Sequence, residues 1–291
     1  MKVIEEVGYR PNLYAKSLVG KKNKNILILL KRRRGAKATI WTNTLINEII
    51  LNNKNKDVSI FVEYYYDDKD LEKSLINTSS MFINGAILFY EEENDKRIEI
   101  LKKSNTPFII LGKSYSEDNI YVSNEDFNVS IKAVEFLFSR GLERILFVSG
   151  NHTPMNEQRV EGVMEAYRKN NKDMSLLQVV RRVNTVEDIK EMFERVKDNL
   201  PECFFVSGDE KAIILIKILT EQGLKIPEDI SVMGFDNLAL SEYTIPALTT
   251  VSLDYRELSK RLLTKLLNMI DNKVEKSEEV KSALIIREST K

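Results

Sequence analysis

The residues best suited to chemistry in this sequence lie directly after short apolar runs of strand length. In the second half of the chain, Gly208-Asp209 follows CFFVS and Asp236-Asn237 follows ISVMGF. Ligands of parallel α/β sheets bind beyond the carboxyl ends of the strands, so such side chains are predicted to line a cleft. The full set of these strand ends is Lys31–Gly35, Asp67-Asp68, Glu91–Glu93, Gly112–Ser116, Gly150–Thr153, Arg182–Asn184, Gly208-Asp209 and Asp236-Asn237.

A sugar is the ligand that these side chains suit. Carboxylates and guanidinium groups can form paired hydrogen bonds with vicinal hydroxyls, and an aromatic ring such as Trp41 can cover the C–H face of a sugar. Taken singly, the residues also have structural explanations. Asp209 fits the N-cap of a helix, and Asp236 fits a turn residue in left-handed geometry.

Composition excludes many catalytic and cofactor sites. The chain has a single histidine, His152, and a single cysteine, Cys203, so it can form neither a zinc cluster nor a CxxC pair. The nucleophile motif GxSxG, the dinucleotide motif GxGxxG and the phosphate-loop motif GxxxxGK[ST] are absent from the sequence. We therefore expect no metal, no cofactor and no enzymatic activity. A carboxylate pair of the glycosidase type stays open, because a sequence does not show the separation of two carboxylates.

The charge is balanced overall but unevenly distributed. The chain carries 44 Lys and Arg against 44 Asp and Glu, yet residues 1–40 hold eleven basic and two acidic side chains. A basic leader on an acidic body indicates an anionic partner, nucleic acid before membrane, although a solvated basic tail would look the same. One cysteine, no apolar run of membrane-spanning length and no signal-peptide core favour a cytoplasmic protein.

Short apolar strands alternate with amphipathic helical stretches from residue 25 onward. Strands are predicted at Asn25–Leu30, Val58–Tyr65, Gly85–Tyr90, Phe108–Leu111, Ile120–Ser123, Ile145–Ser149, 176–181, 203–207, Ile230–Phe235, Thr249–Leu253 and Ala283–Arg287. Helices are predicted at 39–54, 68–80, 94–104, 126–140, 156–170, 185–198, 209–223 and 255–272. This alternation indicates parallel sheets, and so many strands indicate two α/β lobes divided near 118–124.

Four stretches together point to one family. They are Val7–Leu18 (VGYRPNLYAKSL), Arg144–Gly150 with Arg159 and Gly162, Ile226–Asn237 (IPEDISVMGFDN), and Pro246–Val251 with the terminal Leu284–Ser289. Over essentially its whole length the sequence resembles the LacI/GalR family of sugar-responsive transcriptional repressors. Within that family, Asn84–Lys113 and Val122–Ser130 look most like maltose-operon repressors, whereas Lys31–Thr42 departs most from the family pattern.

The resemblance implies an architecture and a set of binding residues. The fold would be two doubly wound parallel-sheet lobes, similar to periplasmic binding proteins, with a central effector cleft. Residues 24–122 with 254–280 would form the first lobe, and residues 123–253 with 281–291 the second. Arg159 and Asp236 match effector-binding residues of the second lobe. Asn128 lies at the start of the crossover helix, where several family members have a polar residue that contacts the effector. Trp41 lies near an aromatic position at the start of the first core helix.

The resemblance also assigns residues 1–23 to a headpiece remnant and a hinge helix that contacts DNA. Pro11 suits the first position of a helix, and Asn12 follows it. Leu18, with Ala15 beside it, would be the apolar wedge that enters the minor groove and unstacks a base step. Without the resemblance, the same face could pack against a neighbouring helix. The helix-turn-helix headpiece of the family has no counterpart here, so we expect it to be truncated.

The hypothesis is a homodimeric, cytoplasmic repressor whose core binds a sugar effector, maltose or a related oligosaccharide, and whose hinge binds an operator. Three alternatives remain open from sequence. They are a solute-binding protein of the same architecture, an enzyme that acts on a sugar in the same cleft, and a sugar sensor that does not read an operator.

Overall fold

The computed structural model describes residues 23–32, 39–78 and 82–291. The predicted hinge residues Asn12, Ala15 and Leu18 lie outside the described residues. Within the described ranges, no helix has the length and apolar character needed to span a bilayer.

Two β-sheets organise the described chain. The first sheet contains β1 (Lys24–Lys31), β2 (Val58–Tyr65), β3 (Gly85–Phe89), β4 (Phe108–Leu111), β5 (Tyr121–Asn124) and β11 (Glu278–Val280), in the order β11-β5-β4-β3-β1-β2. The second contains β6 (Ile145–Val148), β7 (Leu177–Val180), β8 (Cys203–Val206), β9 (Ser231–Asp236), β10 (Thr249–Ser252) and β12 (Ala283–Ile285), in the order β12-β10-β9-β8-β6-β7. Strand β12 pairs antiparallel with β10, and the other pairings are parallel.

Helices join the parallel strands. They are α1 (Ile40–Asn52), α2 (Asp68–Glu72), α3 (Leu75–Thr78), α4 (Lys96–Lys103), α5 (Asp126–Ser139), α6 (Pro154–Lys169), α7 (Val186–Val196), α8 (Asp209–Glu221), α9 (Ala239–Glu242) and α10 (Tyr255–Ile270). The architecture confirms the predicted fold class of two parallel-sheet lobes.

The central strands of both sheets are buried on both faces because each sheet is covered on both sides. In β1, Ile26, Ile28 and Leu30 belong to one hydrophobic cluster, whereas Leu27 and Leu29 belong to another on the opposite face. A parallel strand with helices on both faces needs such a continuous apolar run, since neither face reaches water. The first cluster extends into the second lobe, so the two lobes share buried apolar surface.

The chain passes between the lobes after β5, after β10 and after β11. Helix α5 packs on α6 of the second lobe, and α10 packs on α1 and on β3, β4 and β5 of the first. The division predicted at residues 122 and 123 falls inside β5, whose residues pair within the first sheet.

Several predicted elements differ from the observed ones. The single helix predicted at 68–80 is two short helices, α2 and α3, because the chain turns at Lys73-Ser74. The strand predicted at Gly85–Tyr90 ends at Phe89, since Tyr90 adopts a φ of 49°. Strand β11 was not predicted, because its sequence EEV carries no apolar alternation.

Candidate functional site

Arg159 lies at the centre of the candidate site and is almost fully buried, with 4% of its surface exposed. Its Nε donates to Asp126 Oδ1 at 2.7 Å, and one terminal nitrogen donates to Ser207 Oγ at 2.9 Å. The guanidinium carbon lies 3.7 Å from the centre of the Phe235 ring. Hydrogen bonds and ring stacking together fix the plane of this guanidinium, so it presents a rigid cation to the cleft.

Helix α6 holds Arg159 in place by two local features. The helix begins with Thr153, whose side chain accepts from Asn156 N, followed by Pro154 at the first helical position. Gly162 then allows α6 to approach α5 closely, since a Cβ at this position would lie 2.3 Å from Phe127 O. The close helix pair brings Arg159 onto Asp126, the first residue of α5.

Asp236 ends β9 beside this arginine and is 6% exposed. Its φ of 126° lies in the left-handed half of the map, which is costly for a residue with a Cβ. Within the described residues its carboxylate forms neither a hydrogen bond nor an ion pair. Burial raises the pKa of Asp236 to about 8, and the positive charges of Arg159 and Lys211 oppose that rise. A buried carboxyl with unfilled acceptors is ready to accept from ligand hydroxyls.

The neighbouring acidic residue, Asp209, has a structural role. It accepts from Leu238 N at 2.9 Å, Ser241 Oγ at 2.5 Å and Thr250 Oγ1 at 2.6 Å, and it is fully buried. It is the first residue of α8 and not its N-cap, which is Gly208. Asp209 therefore ties α8, the segment after Asp236 and β10 together.

The aromatic side chains of the site belong to Trp41, Tyr90 and Tyr255. Trp41, in the first turn of α1, lies 5.3 Å from the Tyr90 ring and 6.0 Å from the Phe89 ring, measured between centroids. Burial raises the pKa of Tyr90, and the negative charge of Asp236 raises it further, so the two side chains are electrostatic neighbours across the cleft. The hydroxyl of Tyr255 is buried without a hydrogen-bond partner in the described chain, and burial and the charge of Asp236 raise its pKa.

The structure brings together three of the four predicted effector residues. Arg159 and Asp236 are neighbours in the second lobe. The Trp41 ring contacts the Tyr90 ring, and Tyr90 interacts electrostatically with both Asp236 and Arg159. Asn128 is a correction, since it lies on the exposed face of α5. It lies two positions after Asp126, which places the two side chains about 200° apart around the helix, and Asp126 makes the contact with Arg159.

Sequence reasoning missed Lys211 and Tyr255. Lys211 lies in the first turn of α8, where a cation opposes the helix dipole, and that position was the available signal. The phenol of Tyr255 had no comparable signal, because the first turn of an amphipathic helix often contains a tyrosine.

Two other pockets lie away from this cluster. One, of about 220 Å³, lies at the amino ends of β6 and β8 and includes Arg144, Gln178 and Leu200. The other, of about 230 Å³, lies along α10 between ion-paired side chains. Neither is at the carboxyl edge of a sheet, where ligands of this fold bind. In the described ranges no three His, Cys, Asp or Glu side chains gather as a metal site.

Comparison with known proteins identifies the family. Residues 134–290, more than half of the chain, match the model of the periplasmic binding protein-like domain. The chain belongs to this family.

Similar curated proteins are transcriptional regulators. The probable HTH-type transcriptional repressor ExuR of Bacillus subtilis is 26% identical over all of this chain and 88% of its own length. Catabolite control protein A of Priestia megaterium is 29% identical over 92% of this chain and 82% of its own length.

Similar solved structures agree with the fold. The lac repressor dimer bound to operator and an anti-inducer has a TM-score of 0.84 at 21% identity, over 97% of this chain and 99% of that one. A LacI family regulator from Enterococcus faecium with bound ribose has a TM-score of 0.80 at 26% identity, over 92% of this chain and 98% of that one. These similarities support the predicted resemblance to the effector-binding domain of LacI/GalR-type transcriptional regulators, and the curated relatives agree with the prediction of a non-enzymatic protein.

Proposed function

We propose that this protein is a sugar-responsive, DNA-binding transcriptional repressor that acts in the cytoplasm and binds maltose or a related oligosaccharide between its lobes. The observation that carries the proposal is the buried carboxylate of Asp236, which has no partner in the described chain and lies beside a fixed guanidinium. A bound sugar supplies the hydroxyl donors that this carboxylate lacks.

The chemistry of the cluster suits a carbohydrate ring. Asp236 accepts from a hydroxyl, Arg159 and Tyr255 donate to ring or hydroxyl oxygens, and Trp41 with Tyr90 covers a C–H face. Arg159 is already paired with Asp126, so it adds directed donors and little net charge. This pattern favours a polar, uncharged ligand such as an oligosaccharide.

A homodimer is part of the proposal and is supported by exposed apolar side chains. Leu240, Tyr243 and Ile245 are 50%, 76% and 92% exposed and lie within six residues of one another. Large apolar residues clustered at a surface mark interaction sites. This segment follows Asp236 directly, so a ligand at Asp236 would affect the geometry of the dimer.

We propose that Asn12, Ala15 and Leu18 contact the operator. The support is the basic charge of the amino-terminal segment together with the resemblance of VGYRPNLYAKSL to the hinge of the family. Paired hinge helices in a dimer would enter the minor groove and respond to lobe closure.

Calorimetric titration tests the effector site. A panel containing maltose, maltotriose, glucose and ribose is expected to include a binder. Arg159→Ala is expected to weaken it about tenfold to hundredfold, since a lost hydrogen bond to a charged group costs about 1.5–3 kcal/mol. Asp236→Ala is expected to weaken it about twofold to tenfold, since Asp236 holds a proton below about pH 8 and a neutral hydrogen bond contributes about 0.5–1.5 kcal/mol. Arg168→Ala is the control, because Arg168 pairs with Glu161 and Glu165 on the exposed face of the same helix. Unchanged affinity in both site variants would reject the site.

The second candidate function is a sugar sensor or solute-binding protein without operator binding, which shares the two-lobe architecture. Gel-shift titration of the full chain against DNA separates the two. Operator binding whose log affinity falls linearly with log salt supports the repressor, because phosphate contacts release counterions. Sugar binding without any DNA affinity supports the sensor.

A further inference from the structure

Lys211 is a charged side chain near Asp236 whose position suggests a further contact with the ligand. It is half-buried in the first turn of α8, and its Nζ donates to Val183 O at 3.2 Å. An ammonium has three donors, so the described chain fills one of them. A cation at this end of a helix also opposes the helix dipole. The position is therefore unfavourable for an ammonium that has no further hydrogen-bond partner.

The space beside the ammonium is bordered by glycines. A Cβ on Gly150 would lie 3.7 Å from Lys211 Nζ, and a Cβ on Gly208 would lie 3.8 Å from the same atom. The point beside Gly208 is also 3.9 Å from Asp236 Oδ2. The ammonium of Lys211 and the carboxyl group of Asp236 thus border the same face of Gly208, which has no side chain to stand between them.

A hydroxyl is the group that satisfies both neighbours at once. It can donate its hydrogen to the carboxylate and accept a hydrogen bond from the ammonium through its oxygen. Hydrogen bonds to charged groups are the stronger ones, so a ligand hydroxyl between Lys211 and Asp236 would be held from both sides.

A ligand carboxylate fits this position less well. Within the described residues, five acidic side chains lie near Lys211 and Arg159, namely Asp126, Asp188, Asp209, Glu210 and Asp236. A ligand carboxylate would add a negative charge to a site where acidic side chains outnumber basic ones, whereas a hydroxyl adds no charge.

We infer that Lys211 is a direct effector contact, donating to the ligand hydroxyl that itself donates to Asp236, and that this pair selects an uncharged sugar over a sugar acid. The inference rests on the proposed effector function and names a residue and a ligand class for it.

The experiment uses Lys211→Met, which removes the ammonium and keeps the length of the side chain. Lys217→Met is the matched control, since Lys217 is exposed on the same helix and pairs with Glu221. Calorimetry with wild type first finds the sugar that binds from the panel above, extended by glucuronate and gluconate. Lys211→Met is expected to bind that sugar at least tenfold more weakly, and Lys217→Met is expected to match wild type.

Monodeoxy derivatives of the same sugar identify the bridged hydroxyl. One derivative is expected to bind wild type more weakly than the parent sugar does. The same derivative is expected to lose less affinity for Lys211→Met, because only the hydrogen bond to Asp236 is then left to remove. Lys211→Gln repeats the measurement should the methionine variant fail to fold.

Three results would overturn the inference. They are wild-type affinity in Lys211→Met, additive losses for every deoxy derivative, and preferential binding of a sugar acid that depends on Lys211. The first two results leave the proposed function intact when Arg159→Ala still weakens sugar binding. The absence of any sugar ligand for wild type, in contrast, refutes the proposed function itself.

Discussion

One aspartate of the site combines burial, a strained backbone and unfilled hydrogen-bond acceptors. Asp236 is buried, has a φ of 126°, and has no hydrogen-bond donor within the described chain. Burial is the main reason that its pKa rises to about 8, and Arg159 offsets part of that rise. Buried carboxyl groups with few hydrogen-bond partners reduce stability, and they are expected at positions where a residue serves ligand binding.

This strain predicts a pH-dependent gain in stability for Asp236→Asn. Between about pH 4 and pH 8 the folded protein holds a proton at Asp236 that the unfolded chain releases, so the stability of wild type falls as pH rises through that window. Asparagine cannot ionise and removes this loss. Thermal unfolding at pH 5 and pH 8 is expected to show a stabilisation that is larger at pH 8, by about 1–3 kcal/mol.

The control for this prediction is Asp198→Asn, since Asp198 is exposed. Lys211, whose burial lowers its pKa to about 8, changes stability with pH only above that value, so it does not mask the effect of Asp236. An equal increase in the free energy of unfolding of Asp236→Asn at both pH values would contradict a raised pKa for Asp236.

At the scale of elements, the pairing of α5 with α6 positions the binding residues. Gly162 is the point of closest approach, with room for no side chain against Phe127 O. Because Arg159 and Asp126 lie on these two helices, the spacing of the helices sets the geometry of their ion pair.

Gly162→Ala is therefore expected to destabilise the fold and to weaken effector binding together. Overpacking of a close contact costs about 1–3 kcal/mol, even though alanine is the better helix former. Urea unfolding and calorimetry measure the two effects. Glu161→Ala, a neighbouring exposed position, is expected to change neither. A stabilised Gly162→Ala would show that the helices can separate without cost.

Sequence could predict these elements but not which of their side chains meet. Apolar runs and helical periodicity defined β1, β9 and α5, because burial on one or both faces leaves a direct pattern. Asn128 and Asp126 are both polar residues of the first turn of α5, and only the structure shows which of them faces Arg159.

The end of β3 illustrates a second limit of sequence patterns. Tyr90 continues the apolar run of GAILFY, yet its left-handed φ ends the strand. Buried Arg97 of α4 donates to Tyr90 O at 2.7 Å and holds this turn. Such a contact joins residues through tertiary packing, which a local pattern does not record.

At the scale of the whole molecule, direct contacts join the two lobes across the cleft. Glu210 Oε2, in α8 of the second lobe, accepts from Ile40 N at 3.0 Å and so caps the start of α1 in the first lobe. Helix α1 has no side-chain cap of its own from Thr39 and no acidic residue in its first turn. A carboxylate at a helix N-terminus is stabilising, so this contact favours the closed arrangement.

Glu210→Ala is accordingly expected to favour opening of the lobes. Small-angle scattering of the sugar-free variant should give a larger radius of gyration than wild type, and sugar affinity should fall several-fold, because closure then costs more of the binding energy. Glu221→Ala, at the exposed end of the same helix, serves as the control. Equal radii for the variant and wild type would show that the cap does not hold the lobes together.

The exposed segment after Asp236 carries the proposed dimer contact. Asp209 anchors this segment through Leu238 N and Ser241 Oγ, while Tyr243 and Ile245 project to solvent at 76% and 92% exposure. Wild type is therefore expected to sediment as a dimer. Tyr243→Asp places a charge in the apolar contact and is expected to shift the protein to monomer, since desolvating an unpaired charge in an interface is costly. Val274→Asp is the control, because Val274 is 94% exposed in a different segment. Sedimentation velocity measures both outcomes. If Tyr243→Asp is still a dimer, the dimer contact lies elsewhere, and if wild type is a monomer, the proposed dimer is rejected.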